Sequence, residues 1–391
     1  MKALRAILAE RGETVDAFGV GGPRLQGQGL RAVVDARGLL SMGFAEIVGK
    51  IPRFIAALGR LESAARAERP ALAVVIDYPD FHFRLARRLR RLGIPVVCFI
   101  PPKVWVWRKS RVRELRELYT RVLSILPFEE EVLRAEGVSV RYVGNPLVDE
   151  LPLQLSREEA RRALGLSAAD RILAMMPGSR PSELGHHLVP MLDAAESVGK
   201  SLRAQGRLAA EARLHVLIPL PATAEAGPVR ETVQAWGARA GDRVLEIRVL
   251  EGRSAEVLVA ADAGLIKSGT STLEAGVLGC PHLIVFRPNF ISSTIFHSFI
   301  RYPGPIGLVN LIGGFFGKTR AECVVPELIT FEVTAEAMAR ELLPLFVDEA
   351  RIRAQREFLA EVRRRVVGDG ESPSRKAARE VLDVLVGARP A

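Results

Sequence analysis

The chain has 391 residues, 48% of them hydrophobic, so it is long enough for two or three ordinary domains with sizeable cores and is not a disordered polymer. Its formal charge of +10, carried mostly by arginine, suits contact with the phosphates of a nucleotide, a nucleic acid or a membrane surface, and does not choose among them. Three cysteines, Cys98, Cys280 and Cys323, lack metal-ligand spacing, so we predict reduced core thiols in a cytosolic protein and no metal site. We also expect no cofactor.

The chain opens with "MKALRAILAERGETV", which we interpret as the end of an amphipathic helix. This segment lacks the apolar core and the small-residue cleavage site of a signal peptide. No later stretch reaches the roughly 18 uncharged apolar residues of a membrane-spanning helix. The nearest candidate, "HLIVFRPNFISSTIFHSFI", is interrupted by Arg287, Pro288 and Asn289, so we expect no spanning helix.

Short β-branched runs alternate with helical patterns along most of the chain. The predicted strands lie in "VDAFGV", "ALAVVIDYP" and "IPVVCFIPP", and then in "RILAMMPG", "RLHVLIPL", "RVLEIRVL" and "ADAGLIKSG". Strands that alternate with amphipathic helices are typical of parallel sheets with helices on both faces. Two such sheets fit this length, so we predict an α/β protein with two doubly wound domains.

A domain boundary is predicted near residues 150–156. Pro146 and Pro152 interrupt the periodicity there, and Ser156 with Glu159 forms a capping box that starts a new helix. The predicted division is therefore 1–152, 153–340 and 341–391, the last being C-terminal helices that pack across the two domains.

Polar residues that directly follow an apolar run are candidate ligand contacts, because doubly wound sheets bind ligands outside the carboxyl ends of their strands. In "VVIDYPDFHF", Asp77 stands at such an end, where a carboxylate can act as general base on a sugar hydroxyl. The alternative is that Asp77 merely forms a turn. Asp80 is predicted to cap the following helix, and His82 is interpreted as a surface or boundary residue.

In "FIPPKVWVWRKSRVREL", Trp105 and Trp107 lie between two prolines and a basic helix. Aromatic residues interleaved with Arg and Lys can stack on RNA bases. We favour core packing or one wall of a cleft, because alternation places both indoles on one face.

In "MMPGSRPSE", Arg180 follows a predicted strand and precedes a helix, so its planar guanidinium is expected to reach a phosphate in the crevice. A surface arginine on a Pro-Gly turn is the alternative. The neighbouring pair His186 and His187 is interpreted as surface or boundary residues.

The stretch "ADAGLIKSGTSTLEAGVLGCP" passes from a strand through five small or polar residues into a helix. Such a turn exposes backbone amides at a helix N-terminus and favours an anion. Glu274 can accept hydrogen bonds from the hydroxyls of a sugar. Alternatively, Ser271 and Glu274 form only a capping box, and Gly279 with Pro281 ends the helix.

Seven stretches, taken together and in order, resemble lipid-A-disaccharide synthase, a family of inverting glycosyltransferases. They are "FGVGGPRLQGQGL", "MGFAEIVGKIPRF", "IDYPDFHFRLARRLRRLGIPVVCFIPPKVWVWR", "LPFEEEVLRAEGVSVRYVGNPL", "MPGSRPSEL", "ADAGLIKSGTSTLEAGVLGCP" and "GLVNLIGG" followed by "VPELI". They span roughly residues 18–330. No single motif is decisive, but seven in the family's order are hard to obtain by chance.

The resemblance implies the GT-B architecture, in which two Rossmann-like domains face each other across a cleft. It implies transfer of 2,3-diacylglucosamine from UDP-2,3-diacylglucosamine to the 6-hydroxyl of 2,3-diacylglucosamine 1-phosphate. The products are a β-1,6-linked disaccharide of lipid A biosynthesis and UDP. It also implies a cytoplasmic enzyme that associates peripherally with the inner membrane and binds no nucleic acid. Dimers with exchanged C-terminal segments are known in the family, so the resemblance is compatible with a homodimer.

Two segments mix large apolar residues with Arg and Lys, as segments that lie on a membrane surface do: "MGFAEIVGKIPRFIAALGRL" and "FISSTIFHSFIRY". Amphipathic packing onto a sheet is the alternative.

The resemblance also assigns roles to individual residues. Asp77 matches the family's proposed base for the acceptor hydroxyl, and Asn310 matches the Asn of its Leu-Pro-Asn motif. The resemblance thus implies that Asp77, Arg180 and Asn310 are catalytic residues. The second domain is expected to bind the donor, with Arg180 near the diphosphate and Glu274 on the ribose. The remaining expected contacts to the UDP-sugar are Gly178, Ser179, Ser268, Gly269, Thr270, Ser271 and Thr272.

The sequence departs from the family in several places. Members have a first strand and a Gly-Glu-x-Ser-Gly-Asp loop before the helix that opens this chain, so the first βα unit is expected to be incomplete. A misassigned start codon or a truncation explains this most simply, and a true loss would put catalysis in doubt. Lys267 and Tyr78 stand where members usually have small residues, and Val309 replaces a proline.

Three other functions compete with this one. A UDP-sugar enzyme on the same architecture, such as a MurG-like transferase or a UDP-N-acetylglucosamine 2-epimerase, differs in its acceptor. A non-catalytic relative would bind lipid or UDP-sugar without turnover. RNA binding has the least support, since no RNA-binding module pattern occurs.

Overall fold

The computed structural model describes residues 1–36, 44–104, 110–239, 244–287 and 304–388. The chain folds into two compact units. The first consists of Met1–Asp149 together with Gly368–Ala391, and the second is Glu150–Val367.

Strands and helices alternate along both units, as the sequence pattern predicts. The strands are β1 Phe18–Gly21, β2 Arg31–Asp35, β3 Ala73–Ile76, β4 Val96–Phe99, β5 Arg121–Ser124, β6 Val140–Tyr142, β7 Arg171–Met176, β8 Leu214–Leu220, β9 Leu245–Glu251, β10 Ala263–Lys267, β11 His282–Phe286 and β12 Glu327–Ile329. The helices are α1 Lys2–Glu10, α2 Pro23–Gln26, α3 Phe44–Glu68, α4 Pro79–Arg91, α5 Ser110–Leu118, α6 Pro127–Ala135, α7 Arg157–Ala163, α8 Pro181–Ala204, α9 Gly227–Gly237, α10 Ser254–Ala260, α11 Thr270–Val277, α12 Leu308–Asn310, α13 Ala335–Leu342, α14 Pro344–Val347, α15 Glu349–Val367 and α16 Pro373–Ala388.

The first unit has two separate parallel sheets, β1-β2 and β3-β4-β5-β6. Val96 and Val97 of β4 are both fully buried, because helices cover both faces of a parallel sheet. One of those helices is α16, which contributes Val381 to the cluster around Val97. Arg121 of β5 also pairs with Glu380 of α16 at 2.9 Å.

The second unit has one parallel sheet of six strands in the order β12-β11-β10-β7-β8-β9. Apart from Arg171 at the start of β7 and Lys267 at the end of β10, these two central strands are apolar and buried on both faces. Leu173 and Leu265 belong to one cluster, and Ile172 and Ile266 to another. This pattern is typical of a doubly wound sheet and places the carboxyl ends of β7 and β10 side by side.

Each of the seven predicted strand segments contains a strand. The capping box is also confirmed: the Ser156 amide donates to Glu159 Oε2 at 2.9 Å, and the Glu159 amide donates to Ser156 Oγ at 3.2 Å. The sequence patterns missed β2, β5, β6, β11 and β12. Cys98 and Cys280 are buried free thiols, as predicted, whereas Cys323 is a free thiol that is only partly buried, so its prediction as a core residue was wrong. Within the described ranges, none of the helices combines the length and apolar character that crossing a bilayer demands.

Candidate functional site

Two strand-end loops of the second unit lie next to each other. Strands β7 and β10 pair in parallel with Met176 opposite Ile266, so the loop after β7 and the turn after β10 leave the same edge of the sheet. The first loop contains Gly178–Arg180, and the second contains Ser268–Thr272. The pairing therefore brings together the two segments that were predicted to bind the diphosphate.

A carboxylate from the first turn of α8 holds the first loop. Glu183 Oε2 accepts the amide of Ser179 at 3.0 Å and the amide of Arg180 at 3.4 Å. Gly178 adopts φ +121°, and a Cβ atom there would lie 2.6 Å from Glu183 Oε2. Only glycine lets the loop approach this carboxylate so closely.

The other oxygen of Glu183 binds a lysine from the neighbouring strand end. Lys267 Nζ donates to Glu183 Oε1 at 2.9 Å, and the two side chains are 17% and 19% exposed. Burial acts to raise the pKa of Glu183, but Lys267 and the two loop amides outweigh it and hold that pKa below its ordinary value. The carboxylate is therefore charged at neutral pH.

His187 anchors the same helical turn and is buried, so its interpretation as a surface or boundary residue was wrong. Its Nε2 accepts the amide of Arg287 at 3.0 Å, which leaves Nδ1 as the donor to the carbonyl oxygen of Glu183 at 2.8 Å. Burial lowers its pKa, in keeping with a neutral ring. Its position three residues after Leu184 and four before Met191 places it on the buried stripe of α8, a signal that the sequence did contain.

The side chain of Arg180 extends into solvent beside this loop. It is 72% exposed, and its Nη1 lies 4.0 Å from Glu183 Oε1. Its backbone is held by Glu183, whereas its guanidinium remains available to a ligand. This arrangement suits a residue that closes on an anion.

The turn after β10 leads directly into α11. The Ser268 amide donates to the carbonyl of Val285 at 2.8 Å, and the exposed residues Gly269 and Thr270 begin the helix. The hydroxyl of Thr272 donates to the carbonyl of Gly269 at 2.8 Å, and Thr272 is fully buried, so this side chain shapes the turn. The first amides of α11 point to the same edge as the Arg180 loop, where an anion is favoured.

Glu274 does not form the capping box with Ser271 that was the alternative interpretation. Its Oε1 accepts the hydroxyl of Ser254 at 2.6 Å, and α11 begins without a side-chain cap. Burial raises the pKa of Glu274, and the bond from Ser254 opposes that rise. Ser254, the first residue of α10, is 20 residues away in sequence, and no local pattern predicts this pair.

Asn310 is fully buried in a network of its own. Its Nδ2 donates to the carbonyl of Val325 and to Glu327 Oε1, both at 2.8 Å, and its Oδ1 accepts the amide of Val325 at 3.3 Å. Glu327 also accepts the amides of Ile306 at 2.8 Å and Gly307 at 3.0 Å. Glu327, at the start of β12, therefore holds the segment before α12, and Asn310 ties α12 itself to Val325 and Glu327. Helix α12 packs on α11.

In the first unit, the predicted base stands on a strained backbone. Asp77 is exposed at the end of β3 with φ +53°, and Tyr78 follows with φ +48°. Ile100, at the end of the neighbouring strand β4, has φ +64°. Left-handed conformations at non-glycine residues cost energy and cluster at functional sites. Tyr78 is packed against Phe54, with ring centroids 6.0 Å apart.

The prediction that Asp80 caps a helix was wrong, and the predictions for Trp105, Trp107 and one apolar segment concern residues that the structure does not describe. Asp80 does not cap α4, because that helix begins at Pro79 with no side-chain cap and Asp80 instead forms an ion pair with Arg111. Trp105 and Trp107 lie outside the described residues, as does the segment "FISSTIFHSFIRY".

The described parts of the chain contain no group of three or more His, Cys, Asp or Glu side chains arranged to hold a metal ion. The cationic and amide donors of the second unit are suited to an anionic ligand such as a diphosphate. The exposed carboxylate of the first unit is suited to proton abstraction from a hydroxyl group.

Comparison with known proteins gives consistent results. A family model described as lipid-A-disaccharide synthetase matches residues 1–382. The chain is 40% identical over 369 residues to lipid-A-disaccharide synthase of Anaeromyxobacter dehalogenans (strain 2CP-C), which covers 94% of this chain and 90% of the relative. It is 37% identical over 383 residues to the enzyme of that name from Myxococcus xanthus (strain DK1622), with 98% and 93% covered.

Among solved structures, the calicheamicin glycosyltransferase CalG4 is similar to this chain with a TM-score of 0.58 and 16% sequence identity. The similarity covers 99% of this chain and 94% of that one. At this identity it shows the fold alone, which is the GT-B fold with two Rossmann-like domains.

Proposed function

The chain belongs to the lipid-A-disaccharide synthetase family, and from this premise we propose the reaction that it catalyses. It is a glycosyltransferase, with a UDP-sugar as donor and a sugar as acceptor. We propose that the donor is UDP-2,3-diacylglucosamine and the acceptor 2,3-diacylglucosamine 1-phosphate. The products are the β-1,6-linked disaccharide 1-phosphate and UDP. The family match does not favour a MurG-like transferase or a 2-epimerase over this reaction.

The observation that carries the proposal is the meeting of two anion-binding elements at one sheet edge. Pairing of β7 with β10 sets the loop of Arg180 beside the first amides of α11. In the proposed complex, the guanidinium and these amides bind the diphosphate and stabilise the charge that develops on it as the glycosidic bond breaks. Gly178, Gly269 and Thr270 supply backbone contacts in this proposal. Ser179 and Ser268, whose amides bond Glu183 and Val285, contribute their hydroxyl groups. Ser271 remains a proposed contact, whereas the hydroxyl of Thr272 bonds the Gly269 carbonyl and shapes the turn.

The proposed chemistry is a single displacement with inversion. Asp77 accepts the proton of the acceptor's 6-hydroxyl, the oxygen attacks the anomeric carbon of the donor, and UDP leaves with the bonding electron pair. The positive φ of Asp77 and its exposure at the end of β3 support this role.

Two further residues receive roles under the same proposal. Glu274, oriented by Ser254, accepts hydrogen bonds from the ribose hydroxyls. Asn310 acts as a positioning residue, because its amide group already bonds Val325 and Glu327.

We infer further that the enzyme works in the cytoplasm, bound peripherally to the inner membrane. The net charge of +10 supports contact with anionic lipids. Helix α3, which includes most of "MGFAEIVGKIPRFIAALGRL", exposes Ile55 on its surface. A homodimer is part of the same proposal, and sedimentation of the purified protein tests it.

The experiment is a UDP-release assay with both diacylated substrates. We expect activity in the wild type and a loss of at least about 100-fold in Asp77→Ala and in Arg180→Ala, the usual effect of removing a general base or an electrostatic stabiliser. Asp80→Ala and Arg162→Ala are matched controls at exposed positions and should retain activity. Near-normal rates in both test variants would remove the site assignment, and no UDP release by the wild type would remove the reaction.

A further inference from the structure

We propose that Lys267 and Glu183 form a positioning pair that sets the Gly178–Arg180 loop for binding of the donor diphosphate. The inference rests on the proposed function and deepens it. It assigns Lys267 a role that operates through Glu183, with no direct contact between the lysine and the donor.

The pair divides the two oxygens of one carboxylate between two strand ends. Oε2 of Glu183 binds the amides of Ser179 and Arg180, from the loop after β7. Oε1 binds Lys267 Nζ, the last residue of β10 and 84 positions away in sequence. The lysine therefore fixes the carboxylate from one side while the loop is fixed from the other.

Burial distinguishes this pair from an ordinary surface ion pair. Both side chains are less than one-fifth exposed, so the interaction is screened far less than an exposed one. Without Lys267, the half-buried Glu183 carboxylate loses the cation that compensates its desolvation. The loop amides would then be held by a carboxylate that is free to turn towards water or to take up a proton.

Neighbouring contacts leave the pair little freedom to move. His187 bonds the backbone carbonyl of Glu183 at 2.8 Å and receives the amide of Arg287 at 3.0 Å. Lys267 Nζ also lies 5.7 Å from the centre of the Phe286 ring, at the end of β11. Three adjacent strand ends, β7, β10 and β11, thus converge on one helical turn.

The consequence concerns Arg180. Its backbone amide is one of the two bound by Glu183, whereas its side chain is 72% exposed and, within the described ranges, pairs only with Glu183 Oε1 at 4.0 Å. Fixing the backbone of a residue whose side chain closes on a ligand reduces the entropy lost on binding. Disrupting the Lys267–Glu183 pair should therefore weaken the contribution of Arg180 to UDP binding, even though Arg180 itself is unchanged.

The test is a double-mutant cycle between Lys267→Met and Glu183→Gln, read by UDP affinity in calorimetry and by kcat and KM for UDP release. Methionine keeps most of the length of lysine, and glutamine keeps the acceptor oxygen. We expect each single variant to lose roughly 10- to 100-fold in UDP affinity and in kcat/KM. We expect the double variant to lose no more than the worse single one. Lys267→Arg should recover part of the loss.

Lys200→Met is the matched control, because Lys200 pairs with Glu196 on the same helix at 2.9 Å but is 51% exposed. It should leave UDP affinity unchanged. Additive losses would overturn the inference, since they would mean that Lys267 contacts the donor directly. A lower melting temperature with unchanged UDP affinity would overturn it as well, because the pair would then be only structural.

Calorimetry with UDP needs no acceptor, so the inference and the proposed reaction fail separately. Wild-type protein that binds UDP but releases none from the lipid substrates would contradict the reaction and leave the cycle interpretable. Wild-type protein that does not bind UDP would contradict the inference.

Discussion

The two units build strand-end sites on sheets of different construction. In the described part of the second unit six parallel strands form one continuous sheet, whereas the six strands described in the first unit are divided between a pair and a group of four. The second unit holds its candidate site with side-chain hydrogen bonds, partly buried between Lys267 and Glu183 and fully buried between Asn310 and Glu327. The first unit holds Asp77 on a strained backbone at a sheet edge. Side-chain contacts therefore pre-organise the proposed donor site in the second unit, whereas local backbone conformation positions the proposed base in the first.

The two units differ most clearly in how the strand before the candidate site is paired: β3 in the first unit and β10 in the second. Among the described residues, β3 pairs with β4 alone, and Val74 and Ile76 are 43% and 48% exposed, although strands of a doubly wound sheet are normally covered. The Ala73 amide donates to Pro95, directly before β4, and the Asp77 amide donates to Phe99 in β4. By the alternation of a strand, the amides of Val74 and Ile76 therefore point to the opposite edge. In the second unit β10 has partners on both edges.

The largest expected effect is therefore in amide hydrogen exchange of the intact protein. We expect Val74 and Ile76 to exchange at least about 1,000-fold faster than Leu265 and Ile266, because central strands open only with free energies close to that of global unfolding. Exchange measured by NMR at single-residue resolution checks this. Protection of Val74 and Ile76 equal to that of β10 would break the comparison and show that another segment pairs with β3.

The buried titratable groups of the two sheets should respond differently to acid. Strand β4 of the first unit buries Cys98, and burial raises the pKa of that thiol to about 12, so it stays neutral. Strand β11 of the second unit buries His282, and burial lowers the pKa of that ring to about 4, while its Nδ1 bonds the carbonyl of Cys280. The unfolded chain has an ordinary histidine pKa near 6.5, so only the unfolded state takes up the proton between these values.

The stability that the protein gains by keeping His282 neutral is thus fully present above about pH 6.5 and is lost as pH falls towards 4. The pKa difference corresponds to a loss of about 3 kcal/mol. Urea unfolding at a series of pH values checks this against His282→Asn, which keeps a donor near Cys280 and removes the titrating group. Identical pH dependence of the two proteins would mean that other groups govern acid unfolding.

The sequence predicted most of what local pattern controls. Apolar runs located seven strands, and the Ser156–Glu159 capping box was correct because both partners lie within one helical turn. Strands β6 and β12 were missed because three residues are too few to show a period, and β2 and β5 each begin with an arginine. Strand β11 lies in "HLIVFRPNFISSTIFHSFI", which was interpreted only as a membrane-span candidate.

Contacts between distant segments were beyond the sequence patterns. Lys267 stood out only as a large residue in place of a small one, and its partner Glu183 was an ordinary helix residue. Ser254 gave no signal for Glu274, since that pair depends on how α10 and α11 pack. Asn310 was predicted from its motif alone, and burial of its amide among Val325 and Glu327 emerges only from the fold.

Two buried asparagines, one in each unit, differ in the number of hydrogen bonds that their side chains make. Asn310 bonds Val325 and Glu327 across the second unit, whereas Asn145 in the first unit accepts only the nearby amide of Leu147, at 3.1 Å, among the contacts described. Asn310→Ala should lower the free energy of unfolding by about 2 kcal/mol, because it leaves buried partners unsatisfied. Asn145→Ala, the matched control, should cost about 1 kcal/mol or less, the net value of one hydrogen bond.

Chemical denaturation measures both losses, and UDP release by the folded variants separates a positioning role of Asn310 from direct contact with substrate. If Asn310 supports the site through Glu327 and the segment around Gly307, Asn310→Ala should lose stability and turnover together, and Asn310→Asp should also be destabilised by placing a second carboxylate beside Glu327. Full stability with a large loss of turnover would instead mean that the amide group reaches the substrate. The second unit would then resemble the first, with an active side chain that the surrounding contacts do not hold.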